Sequence, residues 1–376
     1  MKNTKFITSI EQINQLSPKE KVSIQPITDR FDFRANDYYL SLINWEDPND
    51  PIRKIIIPNE GELLEYGNWD ACDEESNYVV PGCQHKYGAT ALLVVSEVCG
   101  ALCRFCFRKR IFSDDVKEAN VNVTPGIEYI RQHKEVNNVL LTGGDSLMLS
   151  TKKLRGIIEQ LREIDHVKII RLGSKLPAYL PMRIYEDEEF LDLIRTYSTP
   201  EGRIFIMAHI NHPREITAQT KKAFDALIKA GAIVVNQTPL LKGINNDPDV
   251  LAELLDKLSW MGVIPYYFFI NRPVAGNYDF VLPLREAYEL VEMAKAKTSG
   301  QGKRVRLVMS HSSGKIEILA IEKGKAILKY HQSKEGNYGK VMILDCPEDA
   351  AWFDDLPGNE KYWDNHKKDA LVLQES

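Results

Sequence analysis

Ala91-Leu-Leu-Val-Val-Ser-Glu-Val-Cys99-Gly-Ala-Leu-Cys103-Arg-Phe-Cys106 is the stretch that decides how this chain of 376 residues is read. It opens on an apolar, β-branched run of the kind that fills a buried strand. It then passes into three cysteines at Cys-x3-Cys-x2-Cys spacing. Thiols this dense at the C-terminal end of a strand point to metal. Three thiolates are one short of what a closed iron-sulfur cluster or a structural zinc takes. A metal site lacking one protein ligand keeps a position open for substrate or cosubstrate. A structural zinc with a distant fourth ligand and three merely packed thiols are the competing assignments. The remaining cysteines, Cys72, Cys83 and Cys346, are scattered singly and read as small buried hydrophobes. In a reducing compartment such a cluster binds metal or does redox chemistry rather than forming disulfides.

Outward from that stretch a unit repeats: a short apolar run, a polar loop, then a helical pattern. Strands are expected at Ala91–Val95, Asn138–Thr142, Val167–Leu172, Arg203–His209, Ala232–Asn236 and Val263–Ile270. Helices are expected at Gly126–His133, Thr151–Ile164, Glu188–Thr196, Ile216–Ala230, Asp249–Met261 and Leu282–Ala296. Such a series calls for parallel strands with right-handed crossovers, hence an α/β barrel or open sheet with its chemistry at the strand C-terminal ends. After Lys297-Thr-Ser-Gly-Gln-Gly302 the pattern turns to alternating strands at Val305–Met309, Ile316–Ile321, Ala326–Tyr330 and Lys340–Leu344. The expected division is an N-terminal helical or capping segment (1–85), a barrel (86–298) and a β-rich extension (299–376). The charged tail from Lys361 onward reads as a frayed end.

Composition narrows the function. The 44% hydrophobic and 27% charged fractions are those of a globular protein, and no stretch approaches the ~18 apolar residues of a membrane span. Forty-eight basic against 53 acidic residues leave a net charge of −5, which argues against nucleic acid as a partner. No apolar stretch follows Met1-Lys-Asn-Thr-Lys5, so the expected location is cytoplasmic.

The cysteine motif, its place after the first strand and the β-α series resemble the radical S-adenosylmethionine (radical SAM) superfamily. Thr142-Gly143-Gly144-Asp145 ends the second strand, where that superfamily has a Gly-Gly-Glu-like turn for the methionine amino group. Paired glycines permit close backbone approach to a ligand. The resemblance implies a partial (β/α)6 TIM-like barrel, with a four-iron, four-sulfur ([4Fe-4S]) cluster on Cys99, Cys103 and Cys106 that binds and cleaves S-adenosyl-L-methionine. Over residues 37 to 330 the chain resembles more narrowly the lysine 2,3-aminomutase family. The matching segments are Tyr38-Tyr-Leu-Ser-Leu-Ile, Asp47-Pro-Asn-Asp-Pro-Ile-Arg-Lys54, Val80-Pro-Gly-Cys-Gln-His-Lys-Tyr87, residues 103–110, Val139-Leu-Leu-Thr-Gly-Gly-Asp145, His209-Ile-Asn-His-Pro213 and Asn236-Gln-Thr-Pro-Leu-Leu-Lys-Gly243. Members of that family use pyridoxal 5′-phosphate beside S-adenosylmethionine to move an amino group from the α to the β carbon.

The resemblance implies roles. Arg108 falls where the family grips the substrate carboxylate, a task for a bidentate guanidinium. Lys86 and Tyr87 match a basic-aromatic pair near the cofactor phosphate, while Thr90 stands where a further arginine is usual. Gly143, Gly144, Asp145, Ser174, His209, Asn211 and Gln237 match strand-end positions that face the cofactors. Lys315 is the expected Schiff-base lysine, although His311-Ser-Ser-Gly-Lys315 has Ser312 and Ser313 in place of glycines. Arg272 aligns with the first of two aspartates that hold the distal ammonium of lysine, and the second falls near Val308 or Met309. An arginine there repels an ammonium and attracts a carboxylate, so glutamate or another acidic amino acid is the expected substrate. The family's additional zinc-binding cysteines find no match, so no zinc-stapled oligomer is implied, and the sequence leaves homo-oligomerisation open.

Three function classes remain open at this point. One is a 2,3-aminomutase-type isomerase using cluster and pyridoxal phosphate. A second is a radical SAM enzyme that abstracts hydrogen from another small molecule or peptide without pyridoxal phosphate. The third is an iron-sulfur sensor or electron carrier. The two enzymes call for a one-electron reductant of flavodoxin or ferredoxin type.

Overall fold

A computed structural model of the chain describes residues 4–112 and 122–363. The tail expected to fray lies, beyond Trp363, outside the described residues. Two short strands near the start, β1 (Phe6–Ile7) and β2 (Ala35–Asn36), pair antiparallel. Among the described residues the main sheet has twelve strands that lie in chain order from edge to edge. They are β3 (Tyr78–Val80), β4 (Cys83–Tyr87), β5 (Thr90–Ser96), β6 (Asn138–Gly143), β7 (Ile169–Ser174), β8 (Arg203–Ala208), β9 (Ile233–Pro239), β10 (Ile264–Phe269), β11 (Arg306–His311), β12 (Gly314–Glu322), β13 (Lys325–Ser333) and β14 (Val341–Asp345). Neighbours from β5 to β11 run parallel. β3 and β4 extend one edge and β12 to β14 the other, all antiparallel.

The parallel strands form where apolar β-branched residues let both faces be covered. Leu141, Ile170, Leu172, Ile204 and Ile206 are fully buried under the helices. The helix Thr151–Arg162 turns Leu154, Ile157, Ile158 and Leu161 inward at helical spacing, and Ser150 caps its start by accepting from the Lys153 amide. Asp187, Thr217 and Asp247 cap later crossover helices in the same way.

The sheet curls. The Lys86 ammonium on β4 donates to the His311 carbonyl on β11 at 2.6 Å, a direct bond between strands seven places apart in the sheet. The result is a partial TIM-like barrel whose lumen is ringed by the seven parallel strands and closed in part by the β12 to β14 meander. β11, expected among the alternating C-terminal strands, is the seventh parallel strand, because the helix Leu284–Lys297 serves as its crossover. The N-terminal segment, expected to be helical or capping, carries the α-helices Pro18–Thr28, Asp37–Leu40 and Pro51–Ile56. No helix among the described residues is long and apolar enough to cross a membrane.

Candidate active site

The three clustered cysteines follow β5 directly, in the loop at the barrel's C-terminal mouth. None is in a disulfide and each is half-buried. Cys103 Sγ and the Tyr179 hydroxyl are hydrogen-bonded at 2.8 Å, and the Arg108 amide donates to Cys106 Sγ at 3.4 Å. Burial is the main cause that pushes all three thiols up, Cys103 to about 12; Cys99 and Cys103 also feel the charge of neighbouring cysteines, while the Arg108 amide, Lys109, Arg108 and Arg110 act the other way on Cys106. Close thiolates that repel one another need a cationic centre between them, which an iron cluster supplies. No three His, Cys, Asp or Glu side chains among the described residues converge as a single ion requires.

The N-terminal segment clamps this loop. Arg104, between the second and third cysteines, is buried and donates from Nε and Nη2 to the Glu62 carboxylate at 2.9 and 2.8 Å and from Nη1 to the Asp32 carbonyl at 2.8 Å. Lys109 reaches the same carboxylate at 3.4 Å, and the Leu102 and Arg104 amides donate to Arg34 and Ile55 carbonyls. Glu62 is fully buried, and sequence reasoning missed it because nothing local marks it. A cavity of about 490 Å³ opens beside Cys99, lined by Arg34, Glu97 and Val98. A larger cleft of about 1220 Å³ lies elsewhere, between Lys54, Lys242, Asp349 and Trp352, and touches none of the expected site residues.

Gly143 sits at φ +122°, and a Cβ there would lie 2.3 Å from the Ser96 carbonyl oxygen; one on Gly144 would lie 2.7 Å from that of Val98. The pair thus lets the end of β6 press against the start of the cysteine loop, with the Gly144 amide donating to Ser96 O at 2.6 Å. Asp145 is buried and accepts from the Lys175 amide at 2.7 Å and the Leu147 amide at 3.0 Å. Burial raises it to about 6 against those bonds. Its carboxylate ties β6 to the β7 turn, where Ser174 caps the next amide, that of Leu176.

Lys175, in the same Gly-Ser-x-x-Pro turn, was not anticipated. Its ammonium bonds the His209 carbonyl at 2.8 Å, Glu215 Oε1 at 2.6 Å and Asn211 Oδ1. Burial and the Lys175 and Arg108 charges lower His209 to about 4, so its imidazole is neutral at physiological pH. Asn211 Nδ2 is buried with no partner among the described residues. Gln237 lies half-buried on β9.

Arg108 is buried and already engaged. Its Nε and Nη2 hold Glu74 at 3.0 and 2.8 Å, and Nη1 donates to Thr142 at 2.9 Å. Burial alone would raise Glu74, but Arg108 and Arg110 hold it well below the usual carboxylate range. Arg272 stacks 3.7 Å over the Phe107 ring, and its Nη1 is buried without a hydrogen bond among the described residues. Lys86, lowered to about 8 by burial, lies along the Tyr87 ring. Ser313 is held by His311 at 2.7 Å and by the Tyr330 hydroxyl at 3.0 Å. Lys315, on β12, points into the lumen with Nζ 4.4 Å from the Tyr267 ring centroid and 5.7 Å from that of Phe269. Burial first, then Arg171, Arg272 and Lys86, lowers it to about 7.

No family model matches the chain. A putative L-lysine 2,3-aminomutase of Aquifex aeolicus is 47% identical over 356 residues, 94% of this chain and 95% of that protein. The chain belongs to the lysine 2,3-aminomutase family. The L-lysine 2,3-aminomutase of Clostridium subterminale is 35% identical over 301 residues, 78% of this chain and 71% of its own length. The glutamate 2,3-aminomutase of Clostridioides difficile is 35% identical over 312 residues, 82% and 72% respectively. Among solved structures, coproporphyrinogen III oxidase of Escherichia coli, a radical SAM enzyme, aligns over 71% of this chain and 72% of that one with a TM-score of 0.33 at 12% identity, a likeness too loose to argue from. Membership makes the chain a radical SAM enzyme of aminomutase type, acting on a small molecule with an iron-sulfur cluster, S-adenosylmethionine and an electron donor. The three free thiols in one short loop fit the cluster, and the lumen amine at Lys315 fits a carbonyl cofactor.

Proposed function

We propose that this enzyme is a 2,3-aminomutase for an acidic amino acid, glutamate foremost, with pyridoxal phosphate held at Lys315. The observation that carries the reading is the pairing of two groups in one lumen: an amine lowered to about 7 and, beside it, an arginine with an orphaned Nη1. The cluster and S-adenosylmethionine supply, when bound, a carbon radical that removes hydrogen, and pyridoxal phosphate supplies a conjugated ring over which an unpaired electron spreads. Cys99, Cys103 and Cys106 would hold the cluster, and the Glu62–Arg104 pair keeps their loop in place.

Lys315 is suited to its part because a neutral amine is the nucleophile an aldehyde requires. Arg108 would take the substrate α-carboxylate. Glu74 and Thr142 use three of the five N–H groups of its guanidinium, which leaves two for a carboxylate, and the same contacts hold the fork rigid. Arg272 would take the distal carboxylate, since a half-buried guanidinium with an unpartnered Nη1 favours an anion and opposes the ammonium of lysine. The glutamate 2,3-aminomutase among the relatives agrees with this choice. Borohydride reduction in the presence of pyridoxal phosphate, followed by peptide mass mapping, tests the anchor. The cofactor's mass should appear on the Lys315 peptide and vanish in Lys315→Ala; its appearance on any other lysine would remove that part of the reading.

A further inference from the structure

Deeper than the two rim arginines lies a third. Arg171 belongs to β7, three residues before Ser174, which puts it about 10 Å below the strand's C-terminal end at ~3.3 Å per residue. Two residues before it, Ile169 is the ladder partner of Asn138, and Asn138 that of Thr90 on β5. Thr90, Asn138 and Arg171 therefore share the lumen face. Arg171 Nε donates to Asn138 Oδ1 at 2.8 Å. Among the described residues this is its one hydrogen bond, and it forms no ion pair.

A guanidinium taken from water without a countercharge is costly, and burial accordingly lowers its pKa. Structures keep such a charge when an anion is meant to meet it. Arg171 is also the foremost charge acting on the Lys315 amine, ahead of Arg272 and Lys86, so guanidinium and amine share one stretch of lumen. The other two cations are placed differently. Arg272 stacks on Phe107 of the cysteine loop, and the Lys86 ammonium is committed to the His311 carbonyl. Arg171 sits within its strand rather than at the rim, with both terminal nitrogens uncommitted among the described residues.

We propose that Arg171 is the anchor for the phosphate group of the pyridoxal cofactor, with Asn138 and Thr90 beside it as neutral donors. The inference rests on the reading that this cofactor joins Lys315, and it assigns the ligand's two ends: the aldehyde at Lys315 and the phosphate at the lumen floor. A phosphate dianion matches a planar fork bidentately, and the Thr90 hydroxyl and Asn138 amide add hydrogen bonds.

The test compares the wild type with Arg171→Gln and Arg171→Lys, each also in a Lys315→Ala background, by equilibrium dialysis against pyridoxal phosphate, pyridoxal and inorganic phosphate. Arg171→Gln should weaken pyridoxal phosphate binding about 10- to 150-fold, the fold-change for one lost charge-assisted hydrogen bond. In the Lys315→Ala background, where the amine that Arg171 also acts on is gone, pyridoxal binding should not change; inorganic phosphate should compete with pyridoxal phosphate in the wild type and not in Arg171→Gln, and Arg171→Lys should recover part of the loss. The ligand-free Arg171→Gln protein should melt no lower than the wild type, because the charge it removes is unpaired. In the Lys315→Ala background, equal losses for pyridoxal phosphate and pyridoxal, or no loss for either, overturn the proposal. So does a wild type that binds the two equally, or an Arg171→Gln enzyme with intact cofactor binding and a raised substrate KM, which would make the site one for a substrate carboxylate. If covalent attachment fails at Lys315 while Arg171-dependent phosphate preference persists, the Lys315 reading falls and the anchor stands.

Discussion

Lys315 is the group whose titration is most informative. An ordinary lysine near pKa 10.5 is about 0.3% free amine at pH 8, whereas one near 7 is about 90% free amine, a ratio of about 300. Only the free amine attacks an aldehyde, so the rate of covalent cofactor attachment should track that fraction. In stopped-flow absorbance, the rate should rise tenfold per pH unit below about 6, bend near 7 and flatten above 8. Arg171→Gln and Arg272→Gln should each move the bend upward, since each removes a charge that opposes the ammonium. The sign for stability follows from the same shift. The fold disfavours the charged form, so Lys315 costs stability below its unfolded pKa, fully so below about 7, and the cost fades as pH climbs toward 10.5. Lys315→Met should therefore raise the melting temperature of the cofactor-free protein at pH 7 and leave it nearly unchanged at pH 10. A rate that keeps climbing tenfold per unit through pH 9 would refute the reasoning, because it would describe an unperturbed lysine.

Other residues allow equally direct checks. Alanine at Cys99, Cys103 or Cys106 should abolish cluster iron and visible absorbance, whereas serine at Cys72, Cys83 or Cys346 should leave both intact; iron analysis after anaerobic reconstitution decides. Gly143→Val should cost about 1–3 kcal/mol from backbone conformation alone, with a further penalty from the 2.3 Å contact to Ser96, read by denaturant unfolding. Glu62→Gln should cost about 3–5 kcal/mol by leaving Arg104 buried and uncompensated, and Arg104→Met with Glu62→Met should recover much of that loss. Arg272→Asp should lower kcat/KM for glutamate by at least about a hundredfold and raise it for lysine, as a double change of charge at a desolvated site implies.

The barrel was legible because its evidence is local. Buried parallel strands such as Ile169–Ser174 are apolar runs, and each crossover helix carries its own spacing and its own cap. β11 was harder, since Arg306–His311 alternates like the antiparallel strands after it and only pairing with β10 reveals its direction. The cysteines announced themselves by spacing. Arg108, Arg272 and Lys315 were found through the family pattern, but that pattern says nothing of Glu74, which occupies one edge of Arg108. Glu62, Lys175 and Arg171 escaped notice for a common reason. Each acts across at least 30 residues of chain or across the lumen, on Arg104, Glu215 and Lys315 respectively, and no local periodicity marks a contact of that range.

The measurement closest to the central claim is turnover by the reconstituted enzyme, kept anaerobic and reduced, with S-adenosylmethionine and pyridoxal phosphate and with glutamate, aspartate and lysine offered in equal amounts. β-Amino product should form from an acidic amino acid, fastest from glutamate, and be lost in Lys315→Ala and Arg272→Asp. β-Lysine formed faster than any acidic product, or acidic product undiminished in Lys315→Ala, would contradict that claim.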